Sequence, residues 1–541
     1  MQSPSSFIRN ATGLVRGISF VDALFMNLGF SGPVGYAVAY TIAWVPAAFP
    51  GANLIVSVLV AMLLSFFVVG TYGLFSAAMP RSGGDYVFVS RVLKPSLGFL
   101  VNWVIWFWTM IWFATATNWL TTFAIVPALA NIGFVSRNQG LINLSSGLSA
   151  PIWVFLIGVV VIVILGVLSI RGVRALMSAQ KYFVLAALIG SIISIGVLLT
   201  HTHNSFVSAF NQYMNPYTGS SNSFSWLISQ AQKLGYNAVG YNIRDTLLAL
   251  PFGYFAFGWA FASAYVGGEF KHANNVKRQL VTTIGASAVV GLLTATLIGL
   301  LLNVVGYNFF SSASYIFLNS PQTLNVPVPS YGMFNLFVSF LSGNVYLAGL
   351  INILFIGWGL LALPVLFMTQ SRCLFAWSFD RIIPSAFAQV SERYNTPVNS
   401  IILITALGIT ILGFYTFLPF FFSLFTTTIL QQIIFALIPV GIAGAVFPFR
   451  KKVLYSNAKI SFMGIPLITI FGIAMVIFLG YVAAVMLGTT QYGTSIANVS
   501  IPFTIGLAFS IGGLVIFYSS KLINKSKGIN IDEIFKEIPP E

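Results

Sequence analysis

Charge is scarce in this sequence. Of 541 residues, 25 are Lys or Arg and 10 are Asp or Glu, 6% in all, against 57% hydrophobic. A water-soluble domain has about a quarter of its residues charged, so this chain cannot cover a soluble surface and its solvent must be mostly lipid. A single cysteine, Cys373, excludes an intrachain disulfide and a thiolate metal cluster. Three histidines, His201, His203 and His272, all fall in polar connections and leave no axial ligands for a haem inside a bilayer. No G-x-x-x-x-G-K-S/T phosphate loop occurs, so ATP-driven transport would need a separate subunit. The net charge of +15 is scattered in ones to fours between apolar runs. Without a continuous basic stripe it excludes nucleic acid as a partner. No cofactor and no metal are expected.

Long apolar runs are abundant. A helical crossing needs roughly 20 mostly apolar residues, and windows of about that length pick out twelve spans: near 18 to 46, 52 to 79, 98 to 126, 151 to 170, 179 to 200, 247 to 268, 280 to 306, 335 to 371, 398 to 417, 419 to 447, 461 to 488 and 499 to 519. Counting Lys and Arg on alternate sides places 22 on the side of the amino terminus and three, Arg137, Lys233 and Arg244, on the other. The excess of basic residues marks the cytoplasmic side, so both termini are expected there and the chain is read as a multi-pass cell-membrane protein. Its expected parts are a cytoplasmic segment 1 to 17, a ten-helix core 18 to 449, two further helices within 450 to 519, and a solvated cytoplasmic tail 520 to 541. The outer connections 201 to 246 and 307 to 334 are rich in Asn, Ser, Tyr and Gly and fit surface loops or short helices.

Buried charge is costly in lipid and marks function by default. Of the ten acids only Asp22 falls inside an apolar span; Asp85, Glu269, Asp380 and Glu392 read as helix-end residues. No basic residue is plainly intramembrane, and hydrolytic chemistry lacks buried partners, so the chain is not expected to be an enzyme. Interrupted helices are present instead. Span one carries Gly29-Phe30-Ser31-Gly32-Pro33-Val34-Gly35; Pro33 removes a helical N–H and clashes with the preceding turn. Such a stretch is either a proline kink or an unwound segment, and irregular backbone at bilayer depth survives only where it is buried in protein or lines a cavity. Span six carries Phe255-Ala256-Phe257-Gly258-Trp259-Ala260 after Pro251 and Gly253. Paired interruptions at corresponding positions of two inverted repeats point to a transport site, in which half-helix N-termini face an anion and unwound carbonyls face a cation. A zwitterion such as an amino acid satisfies both.

Three further segments resemble a known family. Ala78-Met79-Pro80-Arg81-Ser82-Gly83-Gly84-Asp85-Tyr86, with Gly98-Phe99 and Trp103 beyond it, is similar to the P-x-G-G-x-Y signature of the amino acid–polyamine–organocation (APC) superfamily permeases. Ala264-Tyr265-Val266-Gly267-Gly268-Glu269-Phe270-Lys271 resembles that family's sixth-span ending, and Ser371-Arg372, Asp380-Arg381, Pro384 and Thr396-Pro397 resemble its pattern after the eighth span. The resemblance runs from about Asp22 to residue 400. It implies an all-α polytopic membrane protein of twelve transmembrane helices, with a LeuT-like five-plus-five inverted repeat and broken helices one and six. By position it places the substrate carboxylate on backbone N–H groups near Ser31, Gly32 and Val34, with Phe30 beside them as a further substrate-binding residue. The amino group falls on carbonyls near Phe255, Ala256 and Gly258, and Phe257 or Trp259 serves as an aromatic gate.

Departures from the family pattern concern coupling. Where proton-coupled members carry a fifth-helix lysine, some fifteen residues beyond Gly172-Val173-Arg174, this chain has Ala186-Ala187-Leu188, and Lys181 lies nearer the cytoplasmic end. The eighth span offers Asn352 but no Ser/Thr pair of the sodium-site kind, so neither a proton nor a sodium ion is supported as the coupled ion. Asp22 is read as a helix-start cap or as a coupling or inner-gate group. Glu269 is read as a coupling or inner-gate candidate, or as a solvated pair with Lys271. Among Trp103, Trp106, Trp108 and Trp112 interface anchors are expected, with room for one facing substrate. The expected function is secondary active transport of an amino acid or related amine by alternating access. The rivals are a passive channel and a non-transporting sensor or subunit on the same fold.

Overall fold

The computed structural model describes residues 17–31, 44–320, 333–456, 458–494 and 501–536. Among them, ten helices are long and apolar enough to cross a membrane, from Leu54–Ala78 through Phe503–Ser526. They correspond one for one to ten of the twelve apolar spans. The other two are spans one and six, where the glycines and prolines sit. In span one a helix Phe20–Phe30 stops at Ser31, whose N–H closes the last turn on the Asn27 carbonyl. In span six a helix Leu250–Phe257 stops at Gly258, and residues 262 to 269 follow only as two short 3-10 turns.

Two helices are much more enclosed than the rest. Pro95–Ser136 and Val345–Phe379 run through the middle of the bundle, whereas Pro151–Ile170, Val398–Phe417 and Phe503–Ser526 present mostly apolar side chains outward, as lipid-facing helices must. Span three is longer than the sequence windows indicate because a π-helical segment, Leu120–Ile125, carries the helix past residue 126 to Ser136. Span eight is shifted: Met333–Ser342 is a separate helix, and Gly343 turns the chain with φ +57° before Val345–Phe379 begins.

The long connections fold into helices His203–Thr218, Ser223–Lys233, Ile243–Leu248 and Tyr307–Asn319. Rings of Phe206, Phe210, Phe224, Phe309 and Phe337 pack edge to face or stacked across them, giving this unit its own apolar core. It is pinned to the start of span two: Asp245 Oδ2 accepts from Gly51 N–H at 2.9 Å, and Tyr307 Oη donates to the Pro50 carbonyl at 2.6 Å.

The described part of the tail is mostly exposed, as its charge pattern predicts, but it is docked through a few side chains. Helix Ile501–Ser526 runs on past residue 520, and Ile531 and Phe535 are buried. The Phe535 ring lies 4.7 Å from the Arg91 guanidinium carbon, a cation–π contact, with Lys521 paired to Asp532 above it.

Candidate functional site

A narrow, partly open cavity lies where the two interrupted spans meet, with about 430 Å³ of space between atoms when the open solvent at its mouth is included. Its walls are Phe30 from span one, Trp108, Thr109 and Trp112 from span three, Phe255 and Trp259 from span six, and Thr428, Ile429 and Gln432 from span ten. Three of the expected residues, Phe30, Phe255 and Trp259, therefore come together. Gly32 and Val34 lie outside the described residues. Ser31 is buried next to the cavity wall, with its N–H engaged by Asn27 and its Oγ donating to the Leu28 carbonyl. Phe257 does not line the cavity and is fully buried. Of the two gate candidates in span six only Trp259 faces the space. Phe255, which was expected to serve only through its carbonyl, is a wall residue as well.

Trp108, Thr109, Trp112 and Gln432 are what sequence reasoning underweighted. The four span-three tryptophans are not mainly interface anchors. Trp103 donates its indole N–H to the Phe509 carbonyl and Trp106 to the Gln370 carbonyl, while Trp108 and Trp112 face the cavity. Gln431 is turned away, bonding Phe503 and Ser510 of the last helix. Gln432 faces inward just before a π-helical segment, Ile433–Leu437, and such bulges are frequent at functional sites. The Gln-Gln pair in a span otherwise rich in Phe, Leu and Ile was the available signal.

The break in span six is held by polar contacts. Asn27 of span one accepts from Ser263 N–H at 2.9 Å and donates to Ser263 Oγ and the Thr282 carbonyl, both at 3.0 Å. A helix leaves its last four carbonyls without intrahelical partners. Here Ser287 Oγ covers the Phe257 carbonyl at 3.1 Å, while the i to i−4 pattern ends with Gly258 N–H on Tyr254. Among the described residues no hydrogen bond reaches the carbonyl of Ala256 or that of Gly258, so the break leaves both acceptors open.

Beyond the cavity, toward the basic face, three of the four acids read as helix-end groups, Asp85, Glu269 and Asp380, are buried, whereas Glu392 is exposed. Glu269 is not a solvated partner of Lys271: it takes a bidentate pair from Arg372, Nε to Oε1 at 2.7 Å and Nη2 to Oε2 at 3.0 Å, both side chains buried. Arg91 pairs with Asp380 at 2.9 Å, which also accepts from Tyr86 Oη at 2.8 Å. Asp85 accepts from Tyr72 Oη, Tyr265 Oη and Asn102 Nδ2, at 3.0, 2.5 and 2.6 Å, and the Trp377 indole N–H reaches Asn102 Oδ1 at 2.7 Å. Spans two, three, six and eight are thus tied together. The two glycines of the Pro80–Tyr86 motif make this possible. Gly83 and Gly84 have φ of +100° and +53°, conformations that cost side-chain-bearing residues. A Cβ on Gly84 would lie 2.9 Å from the Tyr265 ring and one on Gly83 2.7 Å from Ala376 Cβ.

Asp22 caps its own helix. Its Oδ2 accepts from Ser19 N–H and Oγ at 2.9 and 2.6 Å, while Ser19 Oγ accepts from Asp22 N–H, a reciprocal capping box. Its Oδ1 pairs with Lys181 Nζ at 2.8 Å, so Lys181, despite its position near the helix start, does reach span one. Asn retains the acceptor that the cap needs and loses only a partly exposed ion pair, which is worth about 1 kcal/mol or less. Asp22→Asn is therefore expected to insert normally, exchange substrate within about twofold of the native rate, and keep its pH profile. Loss of the pH dependence of uptake in that variant would instead make Asp22 a coupling group.

Asn352 is structural, donating to Ser339 Oγ and the Ala348 carbonyl and accepting from Asn131. No cluster of metal-ligating side chains occurs among the described residues.

These features describe a helical, multi-pass membrane protein with a small neutral cavity between two interrupted spans. Residues 18–509 match the amino acid permease family, and the chain belongs to it. That is a family of transporters of amino acids and related amines, not of enzymes. A comparison with curated proteins finds no match.

Proposed function

We propose that this chain is a secondary active transporter that moves an amino acid or related amine across the cell membrane by alternating access, with both termini cytoplasmic. The reading includes twelve transmembrane helices, ten of them forming a LeuT-like five-plus-five inverted repeat. One observation carries the proposal: the cavity lies between two separate closures. Phe255 and Ile429 form the wall between it and a second cavity, lined by Trp44, Pro251, Phe252, Met486, Gln491 and Tyr492 on the side away from the basic face. On the other side stand the Glu269–Arg372 and Arg91–Asp380 pairs. A carrier needs two closures that open in turn, with substrate shifting the balance by its differential affinity. A channel needs a continuous polar lining, which the aromatic walls do not provide.

Purified protein in liposomes preloaded with unlabelled substrate is expected to accumulate labelled substrate transiently and saturably. Linear, non-saturating flux would establish the channel instead, and no flux the sensor or subunit.

Burial pushes the carboxyl of Asp85, in the connection between spans two and three, up to about 6 despite the hydrogen bonds that favour its anion. Between its ordinary value near 4 and 6 the closed arrangement keeps a proton that a water-exposed Asp85 gives up. Closure at the basic face is therefore firmest at low pH and weakens as pH rises through 6, with no further change above. Exchange is expected to accelerate between about pH 4 and 6 in the native protein and to level off above, and Asp85→Asn to flatten that rise. A rise that persists in the variant assigns it to another group.

A further inference from the structure

We infer that the cavity selects a net-neutral amino acid with an apolar side chain, branched or aromatic, and discriminates against amines, polyamines and amino acids with charged side chains. The inference rests on the transport reading and narrows it.

Two observations about the lining carry it. First, among the described residues no wall residue carries a charge: five are aromatic, and the polar ones are Thr109, Thr428 and Gln432. An ionised side chain placed here would lose its water without gaining a counter-charge, and buried charge persists only when paired. Lysine-like, glutamate-like and doubly charged polyamine ligands each present one such group beyond what a helix break can compensate. The buried acids Glu269 and Asp85 are not wall residues and are engaged by Arg372 and by Tyr72, Tyr265 and Asn102.

Second, two of the wall residues carry an unpaired donor. The indole Nε1 of Trp108 and that of Trp259 are buried and have no hydrogen-bond partner, although buried polar groups are nearly always paired. A simple amine brings only N–H donors and leaves both indoles unmatched. An amino acid brings a carboxylate with about four acceptor positions and an ammonium for the open carbonyls of Ala256 and Gly258. Its side chain then lies against Phe30, Trp112, Phe255 and Ile429, surfaces that reward apolar area.

The test uses the full chain in liposomes of neutral and anionic phospholipid, with counterflow of labelled leucine, phenylalanine, lysine, glutamate and putrescine measured separately. Leucine or phenylalanine is expected to exchange at least about tenfold faster than the other three, the size of effect expected when a polar group is left unpaired. Lysine, glutamate or putrescine exchanging as fast as leucine would overturn the selectivity and leave transport standing. No exchange of any of the five would overturn the transport reading and the selectivity together. Trp108→Phe keeps the ring and removes one donor. It is expected to raise the KM for leucine about tenfold or more, the loss of one charge-assisted hydrogen bond, with little change in thermal stability. An unchanged KM would remove Trp108 from carboxylate recognition.

Discussion

Glu269→Gln is expected to accelerate maleimide labelling of Cys373 at least about tenfold. Cys373 is the chain's one cysteine and is buried in the Val345–Phe379 helix beside Asn102 and Asp85, so it reports directly on access from the basic face. The native Glu269–Arg372 pair is bidentate and desolvated. Removing one member of such a pair leaves an uncompensated charge and costs about 3–5 kcal/mol. Arg372 recovers that energy only where its guanidinium reaches water, and under the proposed orientation those are conformations open to the cytoplasm. A bias of that size corresponds to about two to three and a half orders of magnitude in an equilibrium, at roughly 1.4 kcal/mol per decade. Tenfold is thus a floor that allows much of the cost to be spread over other motions. The double variant Glu269→Gln/Arg372→Met removes the stranded charge and is expected to return labelling toward the native rate. Fast labelling that persists in the double variant would mean the region has loosened for another reason. Unchanged labelling in the single variant, with insertion and elution volume intact, would mean the pair does not close the pathway.

This network shows where the sequence stops being legible. The poverty of charge named the solvent, and the glycines and prolines at 29 to 35 and 251 to 258 located the two interruptions. Breaks are local, written in residues whose backbone preferences need no partner. Buried ion pairs are not local. Arg372 finds Glu269 across 103 residues and Arg91 finds Asp380 across 289. From sequence, a charge at a helix end is indistinguishable from one in water, so positive-inside counting explained Arg91 and Arg372 without ever burying them. The docking of the tail is illegible for the same reason, since Phe535 meets Arg91, a residue distant in the chain. Facing is the second illegible property. In a helix apolar on all sides, periodicity does not tell the side toward the cavity from the side toward lipid. Trp108 and Trp112 could not be separated from Trp103 and Trp106, nor Gln432 from Gln431, until their neighbours were in place.

The sharpest demand on the site falls on a residue with no side chain. Gly258→Val is expected to lower amino acid exchange at least about a hundredfold while the protein still inserts and elutes as the native form does. Backbone strain is not the cause, because Gly258 has φ −71°, open to any residue. The cause is the Tyr254 ring one turn earlier, on which the first side-chain carbon would land directly. Tyr254 is fully buried, its ring 6.0 Å from that of Trp259 and 5.5 Å from that of Phe478. Overpacking of this kind costs about 1–3 kcal/mol or more, and it is relieved by moving either the ring or the helix end. The first pushes Trp259, a wall of the cavity; the second redirects the Ala256 carbonyl. Both damage the site while leaving the lipid-facing surface unchanged. Two companion variants separate this from general fragility. Gly480→Val, on a helix position with open space around it, is expected to exchange normally. Gly258→Val/Tyr254→Ala restores room for the new side chain and is expected to recover part of the exchange. Native exchange in Gly258→Val alone would mean that the end of the span-six helix takes no part in binding. A double variant no better than the single would trace the defect to the helix end itself and not to the displaced ring.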